Sequence, residues 1–568
     1  MAGRPSTRTA SRSRKSTPRT FSDKWDLTHL VENPTRQLDA LLAELEAKVV
    51  QIEAARPGLS PTMSSQDLLA LLRCSEAIAA GSSRLGAFAY LWFSENTKDA
   101  AARSFKTQVE ERLTALSNRL LFFELWWQSV DDANAARLMA DAGDLRYHMD
   151  TIRRFKPHTL SEPEEKIVNL KNVTGRSAIH TLYDIVTNGF TFTLTVGGKK
   201  KTMNREGLMA YVRSQKASVR QAAYQELYRV FSGQRDLLGE IYKTLVNDWK
   251  SENLGLRHFG SPIATRNLGN DVPDQAVDVL LSACANNADI FQTYFKLKAK
   301  ICKITPMSRY HLYAPHRTEA KKYKYADAAK MVLDAYRGFS PRLADLAEQV
   351  FTDRHIDGPT RAGKLGGAYC YSVVPGMTPY VMLNYTGEAR DIATMAHELG
   401  HAVHGMMAKD HSVFTFHSTL PLAETASVFG ERILSDALMS QEKNKAVRQG
   451  LLIGQLDDRR LHSAADQILG HLQPDEAGPH HHRPHHLALL DATARDRLLH
   501  RNDDHVADGG VFALRAAQHL DAHDAARARV VGDVEVSLHL DHGGPRSARG
   551  CPRLFRLCLR RGARGRSL

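Results

Sequence analysis

The stretch that most limits what this chain can fold into is Met395-Ala-His-Glu-Leu-Gly-His-Ala-Val-His404. His397 and His401 stand four residues apart, so on a helix they lie one turn apart on one face and both reach a single cation. Glu398, beside the first histidine, is placed to touch a water held by that cation. This HExxH pattern is that of a zinc hydrolase, and it requires a helix here. It also requires a second element, because a hydrolytic zinc takes three protein ligands and keeps one position open.

The candidate for the third ligand is Glu424, in Leu422-Ala-Glu-Thr-Ala-Ser-Val-Phe-Gly-Glu431. That segment reads as a second helix starting near Pro421, after a loop holding Asp410, His411 and His417. The spacing allows the chain to turn back and lay one helix beside the other. Flanked by Ala423, Ala426 and Val428, Glu424 reads as buried rather than solvated. Glu431 falls seven residues later on the same face, where it either holds a ligand histidine from behind or is a solvated helix position. His404 is near enough to meet substrate, or is a packing residue. No residue close in sequence fills the part of an oxyanion donor.

Gly363-Lys-Leu-Gly-Gly-Ala-Tyr-Cys-Tyr371 and Pro379-Tyr-Val-Met-Leu-Asn-Tyr385 precede the HExxH helix and read as a Gly-rich turn and a strand. Gly367 and Tyr380 are the substrate-side candidates from these segments. A strand leading into a metal-binding helix can offer its edge to an extended peptide. The other reading is a plain core strand.

Elsewhere the chain is strongly helical. Leu38, Leu41, Leu42, Leu45, Val49 and Ile52 keep helical spacing up to a break at Pro57-Gly58. Amphipathic segments follow around 65–80, 98–130 and 133–142, and Ser161-Glu-Pro-Glu164 has the form of a capping box. Phe190-Thr-Phe-Thr-Leu-Thr-Val196, then Gly197-Gly198 and a basic return run, predicts a hairpin. Helices resume at Arg205 and continue through 213–254, 274–304 and 326–350.

At 568 residues, 43% hydrophobic and 24% charged, the chain is long enough for two or more domains around a large core. Its densest apolar run, Leu120-Leu-Phe-Phe-Glu-Leu-Trp-Trp127, is far short of a membrane span of about 20 residues and reads as a buried helix. No apolar segment follows the basic N-terminus, which argues against secretion. Six scattered cysteines, at 74, 284, 302, 370, 551 and 558, suggest a reducing compartment and no cysteine-based metal site. The net charge of +13 sits mostly in the two ends, and the body between is close to neutral. Nucleic-acid binding is therefore not expected.

Taken together, His397-Glu-Leu-Gly-His401-Ala-Val-His404, Ala423-Glu-Thr-Ala-Ser427, the Gly-Gly-Ala-Tyr turn and the Pro-Tyr-Val-Met-Leu-Asn-Tyr strand resemble the oligoendopeptidase F branch of the thimet oligopeptidase family of zinc metallopeptidases. Trp25-Asp-Leu and Tyr310-His-Leu-Tyr-Ala-Pro315 are similar to that branch as well. The resemblance covers roughly residues 21–458. It implies a mainly α, multi-helix clamshell of zincin type with a small β element, behind a helical N-terminal domain. It implies one zinc per chain on His397, His401 and Glu424, with Glu398 as general base. It also implies short peptide substrates and a cytoplasmic role in peptide turnover. The expected division is a disordered basic leader over 1–20, a helical domain with its hairpin over 21–203, the catalytic domain over 204–458 and a tail over 459–568.

That tail departs from the resemblance. It contains no Lys, Tyr or Trp and holds 13 of the 26 histidines, in runs such as Pro479-His-His-His-Arg-Pro-His-His486. Relatives resemble one another there through a helical half-channel whose Gly-, Tyr- and His-containing loop meets substrate. A packed helical domain does not abandon its aromatics, so a shift of reading frame near Arg459 is the expected origin. The competing readings are a disordered extension and a His-rich metal-buffering tail. With them stands an alternative function, a zinc- and peptide-binding remnant without full activity.

Overall fold

The structure, a computed structural model, describes residues 21–315, 322–445 and 447–453, together with three short antiparallel strands at Ala528–Val530, Val534–Val536 and Leu559–Arg561. The expected leader, and the tail apart from those strands, lie outside the described residues. Among the described residues, no helix is long and apolar enough to cross a membrane.

The chain is mainly helical, as its periodicity predicts. The first long helix, Pro34–Ala55, opens where the Asn33 side chain accepts from the Arg36 N–H at 3.2 Å, and it buries Leu38, Leu42, Leu45, Val49 and Ile52. The capping box at Ser161 and Glu164 forms as expected. Leu120–Phe123 and Trp127 are buried within the helix Ala100–Ser129.

The helix Ser65–Glu95 runs well beyond the stretch of 65–80 that amphipathic spacing marks out. The reason is its surroundings. Its second half, Leu85-Gly-Ala-Phe-Ala-Tyr-Leu-Trp-Phe93, lies between the N-terminal helices and the catalytic sheet, so it is apolar on nearly every side and loses its periodicity.

The hairpin forms between β1 (Phe192–Val196) and β2 (Lys199–Met203), with Val196 opposite Lys199 across Gly197 and Gly198. Both glycines have positive φ, 58° and 77°, which this tight turn requires. Phe192 and Leu194 pack on Leu208, Val212, Leu227 and Phe231 of the two following helices, in one core. The hairpin, at the end of the expected 21–203 domain, thus shares a core with residues beyond 204.

A three-stranded sheet stands between the two main layers, made of β3 (Ile356–Pro359), β4 (Tyr369–Tyr371) and β5 (Tyr380–Tyr385), in the order β3-β5-β4. The two-residue period of a strand divides it between two cores. Tyr369, Tyr371, Tyr380 and Met382 face the N-terminal helices, while Cys370, Val381 and Leu383 face the HExxH helix. β5 is parallel to β3 on one side and antiparallel to β4 on the other. The strand expected to offer an edge to a peptide is therefore the central one, with both edges taken. β4 has an unpaired edge, but it is buried where Ser65–Glu95 docks, through Leu365 N–H to the Ser94 carbonyl and Ser83 Oγ to the Val373 carbonyl.

β5 hands the chain to the HExxH helix, Ala389–Met407, through a sharp turn. One oxygen of Asp391 accepts from the Thr386 N–H at 2.6 Å, the Thr386 hydroxyl at 2.9 Å and the Glu388 N–H at 3.1 Å. These bonds satisfy the start of the helix and fix its direction. After the loop the chain returns as Leu420–Gln441, and the two helices cross almost backbone to backbone. A Cβ on Gly400 would lie 2.6 Å from the Ala426 carbonyl oxygen, and one on Gly430 would lie 2.8 Å from that of Ala396. Tyr336, fully buried on a third helix, Tyr325–Phe339, donates its hydroxyl to the same Ala396 carbonyl.

Gly430→Ala drives a methyl into both Tyr336 and Ala396. Overpacking of this kind should lower stability by about 1–3 kcal/mol or more, seen as a lower urea midpoint at unchanged slope.

Candidate metal centre

The crossing brings the expected ligands together. His397 and His401 project from one face of their helix, and Glu424, near the start of the other helix, reaches across to them. Their ligand atoms all lie within 4.8 Å of one another, and they form the one such group of three among the described residues. His397 Nε2 is 3.2 Å from His401 Nε2 and 3.4 Å from Glu424 Oε2, and His401 Nε2 is 3.7 Å from the same oxygen. Zinc bonds of about 2.0–2.1 Å at a tetrahedral angle set donor atoms roughly 3.3–3.4 Å apart. The three separations bracket that value.

His397 Nδ1 lies 2.6 Å from Glu431 Oε1, and its Nε2 is the ring nitrogen turned to His401 and Glu424. A neutral ring that donates from Nδ1 to Glu431 keeps its lone pair on Nε2, the nitrogen a metal would take. Glu431 thus stands against the Nδ1 side of His397 and keeps part of its side chain exposed.

Burial divides the site into a closed and an open side. His397, His401 and Glu398 are buried, Glu398 completely. Glu424 and Glu431 keep 24% and 27% of their side chains exposed. The apolar neighbours of Glu424 do not bury it as expected, because Leu422 and Val428 turn outward and are themselves exposed. Its carboxylate is held instead by Ser427, whose hydroxyl lies 2.8 Å from Glu424 Oε2 and 2.9 Å from the Glu424 carbonyl oxygen.

The remaining sequence candidates are placed elsewhere. His404, two turns along from His397, is outside the cluster; it is half-buried, and burial holds its pKa below the usual histidine value. Tyr380 does not face substrate. It is fully buried, stacks on His355 at 3.9 Å and donates to the Asp26 carbonyl at 3.0 Å, and so ties the N-terminal segment to the sheet. Gly367 is buried in the turn before β4, where its φ of 87° calls for glycine and its carbonyl accepts from Asn384 at 2.7 Å.

Two supporting residues escape the sequence reading. Ser427 carried a signal, since a hydroxyl three residues after a helical Glu shares its face. Tyr336 carried none, being 60 residues from the carbonyl it holds.

Comparison with known proteins places this geometry in a family. Residues 210–469 match the profile of peptidase family M3, and residues 126–192 match that of oligopeptidase F. The first match runs past the change of composition at 459. The chain is 24% identical over 445 residues to the plasmid oligoendopeptidase F of Lactococcus lactis subsp. cremoris, covering 77% of this chain and 73% of that one. Two solved structures share the helical zincin-type fold. PZ peptidase A superposes with a TM-score of 0.64 at 15% identity, over 84% of this chain and 83% of that one. Oligoendopeptidase-F from Enterococcus faecium superposes with a TM-score of 0.55 at 17% identity, over 78% and 75%. Its family M3 match and its oligoendopeptidase F relatives mark the chain as a metalloendopeptidase, with the peptidase family M3 profile over residues 210–469 and that of oligopeptidase F over 126–192.

Proposed function

We propose that the protein is a zinc-dependent endopeptidase that hydrolyses short oligopeptides, with His397, His401 and Glu424 as the ligands and Glu398 as general base. The observation that carries the reading is the spacing of the three donor atoms, 3.2, 3.4 and 3.7 Å, with a fully buried carboxylate on the residue next to the first ligand. Zinc bound there supplies a Lewis acid, which polarises the scissile carbonyl and acidifies the attacking water.

The chain's own residues do the rest. Glu398 takes the proton from the water and delivers it to the leaving amine. Glu431 fixes the tautomer of His397 and keeps its Nε2 directed at the ligand position. The half-exposed carboxylates of Glu424 and Glu431 mark the side from which peptide enters. The four described cysteines are all free, which fits work in the reducing cytoplasm.

Glu398→Gln should keep one zinc per chain and lower hydrolysis of a quenched fluorescent peptide by about 10²–10⁴-fold. Unchanged turnover would remove Glu398 from its role. His397→Ala and Glu424→Ala should each lose the metal on dialysis, as measured by elemental analysis. Glu431→Gln should still bind zinc, with an affinity about 10–100-fold weaker in chelator competition.

A further inference from the structure

We infer that Ser427 is the positioning residue of the third ligand, and that its hydroxyl sets the affinity of the site for zinc. The inference rests on the zinc-site reading above. His397 and His401 are stiff ligands, buried on a helix that is clamped at Gly400 and held from Tyr336. Glu424 is different. It has three rotatable side-chain bonds, keeps 24% of its side chain exposed and stands near the start of its helix. Holding such a side chain in one rotamer costs conformational entropy, and that cost weakens metal binding unless the free protein has already met it.

Ser427 is built to meet it. Its Oγ lies 2.8 Å from Oε2 of Glu424, the same oxygen that faces both histidine Nε2 atoms. A carboxylate oxygen has two lone pairs, so one can accept from the serine while the other remains directed at the ligand position. The single hydroxyl proton has an alternative acceptor in the Glu424 carbonyl at 2.9 Å, and the bond that fixes the carboxylate is the one to Oε2. Ser427 is itself fully buried at the helix crossing, where its Cα lies 2.9 Å from where a Cβ on Gly400 would stand. Its own position is therefore fixed by the backbone of the HExxH helix. The hydroxyl transmits that placement to Glu424, as Glu431 does for His397.

The test compares wild type, Ser427→Ala and a control, Thr425→Ala, which removes an exposed hydroxyl from the same helix. Zinc dissociation constants come from chelator competition, thermal midpoints from the metal-free proteins, and visible absorption from the Co²⁺-loaded forms. Ser427→Ala should weaken zinc binding by about 10–100-fold and alter the Co²⁺ bands, with the metal-free midpoint unchanged and the control like wild type. An unchanged dissociation constant in Ser427→Ala, with zinc taken up normally by wild type, overturns this inference alone. A fall in the metal-free midpoint that accounts for the lost affinity also overturns it, by making Ser427 a packing residue. A wild-type chain that takes up no zinc overturns the zinc-site reading and this inference together.

Discussion

The site depends on the close crossing of two helices. Ala389–Met407 and Leu420–Gln441 approach so nearly that neither Gly400 nor Gly430 has room for a side chain. Three ligands whose donor atoms must lie within a few ångströms of one another cannot come from a single helix face, because a third position on that face is another turn away, about 5.4 Å along the axis. Bringing a second helix in solves this, but a short Glu-to-His reach leaves no space for large residues between the backbones. The Ala, Gly and Ser positions around the ligands are thus a consequence of the coordination geometry. Tyr336 then locks the crossing from behind, with its hydroxyl on the carbonyl just before His397.

The crossing is held in place by the sheet. β5, central between β3 and β4, ends four residues before the HExxH helix begins, so its position fixes where that helix starts. The sheet in turn is pinned by Lys364, fully buried in the Gly-rich turn, whose ammonium lies 2.8 Å from Asp357 Oδ1 and reaches the carbonyls of Asp357, Pro359 and Leu383. One side chain so joins β3, the turn and β5. Burial pushes its pKa down to about 8 despite the pull of Asp357, a sign of how little water reaches this seam. On the opposite face the sheet shares its core with the N-terminal helices, so placement of the metal ligands draws on contacts well beyond the catalytic half.

Much of this was legible in the sequence where the signal is local. HExxH is read from one helical turn, and Glu424 from the need for a third ligand and the helix that follows. Long-range features were not. Alternation in Pro379–Tyr385 identifies a strand, yet nothing in it tells a central strand from an edge, and Tyr380 was misplaced for that reason. The second half of Ser65–Glu95 lost its periodicity because both sides are covered. The hairpin's membership in the following core rests on contacts of Phe192 and Leu194 with residues some fifteen to forty positions on, which no local pattern shows. Of the apolar flanks of Glu424, Ala423 is buried but Val428 turns outward, so the carboxylate keeps partial exposure.

That exposure bears on how a carboxylate serves as a ligand here. A fully buried Glu424 would need no serine, because packing alone would fix its rotamer. The proposed zinc-site reading needs one side open for peptide, and Glu424 is the most exposed of the three grouped residues. Hydrogen bonds then take over from packing. Both histidines are buried, and Glu431 reaches one of them, His397, while Ser427 reaches the more exposed Glu424. Both supporting residues stand on the Leu420–Gln441 helix, so its polar positions bear on the proposed metal centre as much as on the helix surface.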